Sequence, residues 1–312
     1  LTTICRPYGE AAIAEAAALI ADGLPVAVPT ETVYGLAADA TSGEAVARIY
    51  AAKGRPNFNP LIVHVADLEA AEAIGLFDAT ARCLAGAFWP GPLTLVIPRH
   101  PDSPIARLAT AGLETVAIRV PAHPAMRALL AATAKPLAAP SANASGTISP
   151  TRAEHVLKSL DGRIPLIIDA GPTQVGLEST IVAVATDHLR LLRPGPISAA
   201  ALRDATGFEV RVAEGGAIEA PGQLASHYAP SKPLRLDARD RRDGEWLIGF
   251  GELAGDATLS VDGDLVEAAA RLFDLLHEAD ATRARSIAVA PIPETGLGLA
   301  INDRLRRAAA PR

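Results

Sequence analysis

Ala51-Ala-Lys-Gly-Arg-Pro-Asn-Phe-Asn-Pro-Leu-Ile-Val-His-Val65 holds a helix end, a stiff loop and a buried strand in one short stretch. Residues 44–52 repeat apolar side chains at helical spacing, and Gly54 supplies the stop that ends such a helix. Pro56 and Pro60 follow, and their fixed φ and missing N–H prevent the helix from resuming. Leu61 to Val65 is then a short apolar run of the kind a buried strand carries. The same alternation extends outward in both directions. Residues 10–22 read as a helix stopped by Gly23, and 25–28 as the strand after it. Further strands are expected at 93–97, 116–120, 137–139, 166–169, 180–184 and 189–192. Helices alternating with strands make this an α/β chain with a large sheet.

Periodicity disappears between Phe208 and Pro233, where Glu214-Gly-Gly, Ala220-Pro-Gly and His227-Tyr-Ala-Pro230 concentrate turn residues. Beyond it, strands near 246–250 and 287–290, a helix over 265–279 and a last helix near 299–309 outline a small α/β body. The expected organisation is a catalytic domain over 1–207, a linker over 208–233 and a small domain over 234–312. The linker is longer than a connection needs. Its glycines at Glu214-Gly-Gly suit a hinge, and Pro221 and Pro230 stiffen the far end, so it reads as a lid.

Charge and cysteine content remove several classes. The formal net charge is −6, unlike a chain that holds nucleic acid on a broad basic surface. No long apolar run suits a membrane span, and Glu10, Glu15 and Asp22 interrupt the N-terminal alanines where a signal peptide needs an uncharged core. A cytoplasmic protein without membrane association is expected. Cys5 and Cys83 are far apart, with no Cys/His cluster, so neither a disulfide framework nor a zinc site is indicated. Only Lys53, Lys135, Lys158 and Lys232 are lysines among 29 basic residues, which makes Lys53 in its rigid loop conspicuous.

Lys53 and Arg55 suit a phosphate clamp, a point charge beside a planar fork, although exposed cation pairs are commonly just solvated. There is no G-x-x-x-x-G-K-[ST] and no dinucleotide fingerprint. Thr30 and Thr32, His64, Arg119, Ser141 and Asn143, Ser179 and Arg193 all fall near expected strand ends, where α/β sheets collect ligands. Each alone also fits turn chemistry or a satisfied core position. A buried Arg119 requires a carboxylate or phosphate partner, internal or bound. Together these segments suggest a single cleft for anions.

In this order they resemble the YrdC-like family of L-threonylcarbamoyladenylate synthases. The resemblance rests on PTETVYGL at 29–36, KGRPNFNPLIVHV at 53–65, WPGPLTLV at 89–96, TVAIRVPAHP at 115–124, APSAN at 139–143, GLESTIV at 176–182 and LLRPGP at 191–196. His227-Tyr-Ala-Pro230 and the segment 296–305 are similar to the family's two-domain branch, although Ala290-Pro-Ile-Pro293 and Asn302-Asp-Arg304 depart from its usual pattern.

The resemblance implies a large twisted mixed sheet with helices and a smaller Rossmann-like domain. It also implies synthesis of L-threonylcarbamoyladenylate and pyrophosphate from L-threonine, bicarbonate and ATP, an adenylyl transfer that serves tRNA modification beside the anticodon. Threonine would meet Thr32, His64, Arg119, the backbone at Ala139 and Ser179. ATP would meet Arg55, Asn59, Thr115, Ser141, Ser149, Arg193, His227 and Tyr228, with Lys53 near the phosphates and Asn143 organising its loop or touching phosphate. Lys53 and Arg55 would be catalytic. Mg²⁺ would arrive with ATP, held by phosphate oxygens and water without a protein cage, and the product would pass to a tRNA-modifying transferase, with direct tRNA contact left open.

Two rival readings are an RNA-binding module and a carbamoyl-transfer relative. Residues 1–207 carry 16 Lys/Arg against 18 Asp/Glu, which favours a compact anion pocket over a phosphate ladder. The carbamoyl-transfer relatives add acylphosphatase-like and zinc-finger sections, which this length and cysteine count do not provide.

Overall fold

The computed structural model describes residues 2–213 and 218–311. The hinge expected at Glu214-Gly-Gly lies outside the described residues. Eleven strands form one mixed sheet in the order Ile4–Pro7, Leu166–Asp169, Val26–Pro29, Tyr34–Asp39, Leu137–Ala138, Ile62–His64, Thr115–Arg119, Leu93–Pro98, Thr180–Val184, His188–Arg193, Glu209–Val212. Gly54 ends helix Gly43–Lys53 with φ 59, the left-handed cap that a glycine adopts without a Cβ penalty.

Three strands of this sheet, Ile4–Pro7, Tyr34–Asp39 and Glu209–Val212, lie outside the expected set. Ile4–Pro7 pairs parallel with Leu166–Asp169 at one edge, and Tyr34–Asp39 folds back antiparallel on Val26–Pro29. Glu209–Val212 lies in the stretch without periodicity, yet it pairs parallel with His188–Arg193 as an edge strand. Glu209, Arg211 and Val212 are exposed while Val210 packs with Phe208 against the core, so its apolar/polar alternation is present but short.

Side chains alternate between the two faces of the sheet. Ala27, Leu36, Ala38, Leu61, Val63, Val116 and Ile118 enter one core. Val26, Val28, Ala37, Leu137 and Ala139 enter the other, beneath helices Glu10–Ala21 and Pro124–Thr133. Those two helices cover only part of that face. Further along it, Ile62, Val96, Ala117, Ile181 and Leu192 pack against Ala220 instead. A chain segment thus roofs the sheet where helices do not, and the candidate site lies at that boundary.

The small sheet has the order Leu234–Arg235, Ser286–Val289, Glu245–Gly249, Ala257–Thr258, all parallel. Its helices, Leu265–Ala281 and Gly298–Ala309, share one apolar cluster with Val33, Ile148, Leu177 and Tyr228. The two bodies therefore meet through a common core. Arg152 adds a paired contact to Asp274 at 2.7 and 2.9 Å.

Candidate active site

The floor of the site follows from strand alternation. In the run 61–65, Leu61, Val63 and Val65 point into the helix-covered core, and Ile62 and His64 face the opposite way. In Thr115–Arg119, Val116 and Ile118 take the core side, leaving Ala117 and Arg119 on the face of His64. The parallel register sets His64 beside Arg119. Thr30 Oγ1 accepts from the amides of Thr32 and Val33 and donates to the Val33 carbonyl at 2.7 Å. That local turn sends the chain into Tyr34–Asp39 and leaves the Thr32 hydroxyl 3.0 Å from Arg119 Nη1.

Around this floor lies a cavity with about 50 Å³ of free volume. It is lined by Thr32, Arg55, His64 and Arg119, by Ala139 and Ser141, by Ser179 and Arg193, and by His227 and Tyr228 above. All ten belong to the set singled out from sequence. Their convergence differs from the expected common sheet edge. Ile62–His64 and Thr115–Arg119 run opposite to Val26–Pro29, three antiparallel pairings separating them, so their ends lie on different edges. The side chains meet across the face instead. Ser179, expected at a strand end, immediately precedes the strand Thr180–Val184.

Five other expected residues do not line the cavity. Thr115 pairs with Pro98 and stands four residues, about 13 Å of strand, from Arg119. Lys53 is buried and donates inward to the carbonyls of Ser141 and Asn143, fastening the loop behind the cavity wall. Asn143 donates to the carbonyls of Ala144 and Thr147, across its own loop. Ser149 donates to Glu178. Asn59 uses its backbone carbonyl to accept from Tyr50 and Arg55, and both of its side-chain polar atoms are buried with no partner among the described residues.

Four contributors were not singled out from sequence. Glu31 pairs with Arg119 at 2.6 Å. Thr94 shares a 2.7 Å hydrogen bond with Ser179. Glu178 lines the cavity and accepts from Ser149 and from Arg304 of the last helix at 2.8 Å. Arg304, fully buried, also lies 5.3 Å from the Tyr228 ring centroid. A signal existed for Glu31, because a strand Arg that must be buried calls for an acid, and Glu31 sits within an apolar segment. Arg304 offered none, since its distance in sequence from Glu178 hides the contact.

Burial governs the electrostatics. His64 titrates near 3, because burial and then the Arg119 charge disfavour its protonated form. Both of its ring nitrogens lack a partner among the described residues. His227 is held well below 6.5 by burial and by Arg55, Lys53, Arg193 and Arg304. Burial and Arg55 push Lys53 well below 10.5, while burial brings Arg55 down to about 10. Burial pushes the Glu31 carboxyl up, but the charge and hydrogen bond of Arg119 more than reverse it. Tyr228 has φ 63, an outlying conformation for a bulky residue. Its ring is held there by Phe273, at 5.6 Å, and by Arg304.

Residues 18–195 match the Sua5–YciO–YrdC family model, described as telomere recombination, and residues 197–310 match the C-terminal domain of threonylcarbamoyl-AMP synthase. The threonylcarbamoyl-AMP synthase of Bacillus subtilis is 43% identical, over 96% of this chain and 93% of that protein. That of Pyrococcus abyssi is 41% identical over 95% and 94%. The crystal structure of P. abyssi Sua5 complexed with L-threonine superposes with a TM-score of 0.89 at 38% identity, covering 99% of this chain and 97% of that one. Matched along nearly its whole length in fold and sequence, the chain belongs to the Sua5–YciO–YrdC family, in its form that carries the threonylcarbamoyl-AMP synthase C-terminal domain.

Proposed function

We propose that this chain makes threonylcarbamoyl-AMP from L-threonine, bicarbonate and ATP, releasing pyrophosphate, in service of tRNA modification. The carrying observation is the set of buried polar atoms around one cavity that lack partners among the described residues: both His64 nitrogens, His227 Nδ1 and the Tyr228 hydroxyl. Buried polar groups left unpaired are costly and call for an explanation. Beside them stand three lining guanidinium groups, Arg55, Arg119 and Arg193, suited to carboxylate and phosphate.

Threonine fits the floor, its carboxylate on Arg119 and its polar groups toward Thr32, His64, Ser179 and the Ala139 backbone. The nucleotide fits toward Arg55, Ser141, Arg193, His227 and Tyr228. The uncharged amine of threonine bonds to the carbon supplied by bicarbonate, whose hydroxyl oxygen leaves as water together with an amine proton, and a carbamate results. A carbamate oxygen then attacks the α-phosphorus as the bond to the bridging oxygen breaks, and that oxygen leaves with pyrophosphate. The protein's contribution is to align two anions and to neutralise charge as it moves onto the phosphates. This makes the reaction an adenylyl transfer.

Among the described residues no cluster of His, Cys, Asp or Glu could hold a metal ion, and Glu31 and Glu178 already face arginines. This suits an ion that arrives with ATP and would rely on phosphate oxygens and water.

A free volume of about 50 Å³ holds only about four waters, whereas ligand pockets take about 300–1,000 Å³. Pro221, Gly222, His227 and Tyr228 form the roof. We read this segment as a lid, whose lifting would widen the way in for ATP and whose return would exclude water from the carbamate. Among the described residues no helix is long and apolar enough to cross a membrane, and the reading includes a cytoplasmic location and delivery of the product to a separate transferase. Pyrophosphate release, measured with threonine, bicarbonate and ATP omitted in turn, tests the assignment. Release is expected only with all three, and equal release without threonine overturns it.

A further inference from the structure

We infer that Glu31 is the positioning residue of the amino-acid subsite, holding the Arg119 guanidinium in the one orientation that leaves its remaining N–H groups to a substrate carboxylate. The inference rests on the reading that Arg119 receives that carboxylate. Three of the five guanidinium donors are already committed. Nε donates to the Gly91 carbonyl at 3.1 Å, Nη1 to Thr32 Oγ1 at 3.0 Å and Nη2 to Glu31 Oε1 at 2.6 Å. Each points in a different direction, so the plane of the guanidinium is fixed. Two N–H bonds, one on each terminal nitrogen, remain, and Arg119 itself lines the cavity.

Glu31 does not line the cavity, and its side chain is only 9% exposed. Its second oxygen accepts from the amides of Ala122 and His123 at 3.1 and 3.3 Å, at the entry to helix Pro124–Thr133. Both carboxylate oxygens are thus fastened, one to the arginine and one to backbone that a helix anchors. A carboxylate held on both sides is a rigid stop for Arg119. It also balances the buried charge of Arg119, so that the arginine is held in place before any ligand arrives.

Glu31→Gln in the full chain removes the charge while keeping the size. The expected result is a threonine KM raised at least about tenfold with kcat changed far less, and an unchanged KM for ATP. Glu31→Asp, which keeps the charge one methylene further back, should give an intermediate threonine KM. It also serves as the test if the Gln variant does not fold. A double-mutant cycle with Arg119→Ala separates the two layers. On that background Glu31→Gln should have no further effect on threonine affinity measured by calorimetry. A full, additive effect there, a wild-type threonine KM in either Glu31 variant, or equal shifts in both substrates' KM and in kcat would overturn the positioning role. If Arg119→Ala alone leaves threonine affinity unchanged, the carboxylate reading of Arg119 itself falls.

Discussion

The two ends of the cavity treat buried positive charge in opposite ways. At the floor, Arg119 has a carboxylate partner within 2.6 Å, and the pair is neutral before any ligand arrives. At the other end Arg55 donates to the carbonyls of Asn59 and Pro60. Arg193 donates to the Ser179 carbonyl and hydroxyl and to the Pro221 carbonyl. Among the described residues neither has a carboxylate at ion-pair distance, and Lys53 behind them is equally unpaired. A paired and oriented arginine offers its remaining N–H groups to hydrogen-bond an amino-acid carboxylate. Buried cations held by neutral oxygens suit a polyanion; burial first, and neighbouring cations after it, lower their pKa values.

That contrast can be broken in order of expected effect. Arg55→Ala should lower single-turnover adenylyl transfer by about 10²–10³, the scale of losing one preorganised group that faces developing charge, with threonine affinity by calorimetry retained. Loss of threonine binding with normal turnover would move Arg55 to the other subsite. Arg119→Ala should show the reverse pattern, weakening threonine by about 1.5–3 kcal/mol with nucleotide affinity little changed.

The roof offers a smaller test. Gly222 has φ 88, and a Cβ there would lie 2.8 Å from Arg193 Cδ and 2.9 Å from the Tyr228 hydroxyl. Gly222→Ala should therefore cost about 1–2 kcal/mol of left-handed backbone strain in the closed state, besides displacing both side chains. The expected readout is a kcat/KM for ATP reduced about tenfold, together with faster hydrogen exchange over 222–231 in the presence of threonine and a non-hydrolysable ATP analogue. Unchanged values for both would mean that the roof does not close in this form.

The smallest effect concerns protons. Burial, then Arg55, depresses Lys53, and nearby phosphates would raise it again, so nucleotide binding should take up protons. The affinity should fall as pH rises through the depressed value. Calorimetry in buffers of different ionisation enthalpy measures this uptake, and strict proton neutrality across the alkaline range would show that Lys53 is not coupled to the nucleotide end. His64, titrating near 3, should add no inflection to threonine binding between about pH 5 and 8, the range where an ordinary histidine titrates.

Local chemistry was readable without the fold. Gly54 had to end a helix, the prolines at 56 and 60 had to keep the chain out of one, and Leu-Ile-Val-His-Val65 had to be a strand with His64 on the face opposite Val63. The alternation of Val116-Ala-Ile-Arg119 carried the same information for Arg119. Those patterns come from steric limits and from the period-2 geometry of a strand, which act between neighbours in sequence. Tertiary structure alone decided what each side chain meets. The parallel register that sets His64 beside Arg119, the reach of Glu31 to a strand 88 residues away, the turning inward of Lys53 and the arrival of Arg304 at Glu178 all depend on strand order and on the docking of the small body. An exposed edge strand such as Glu209–Val212 escaped notice for a related reason. Its pairing is imposed by a neighbouring strand, and the short alternation Phe208-Glu-Val-Arg-Val212, with Val210 half-buried, does not by itself name that partner.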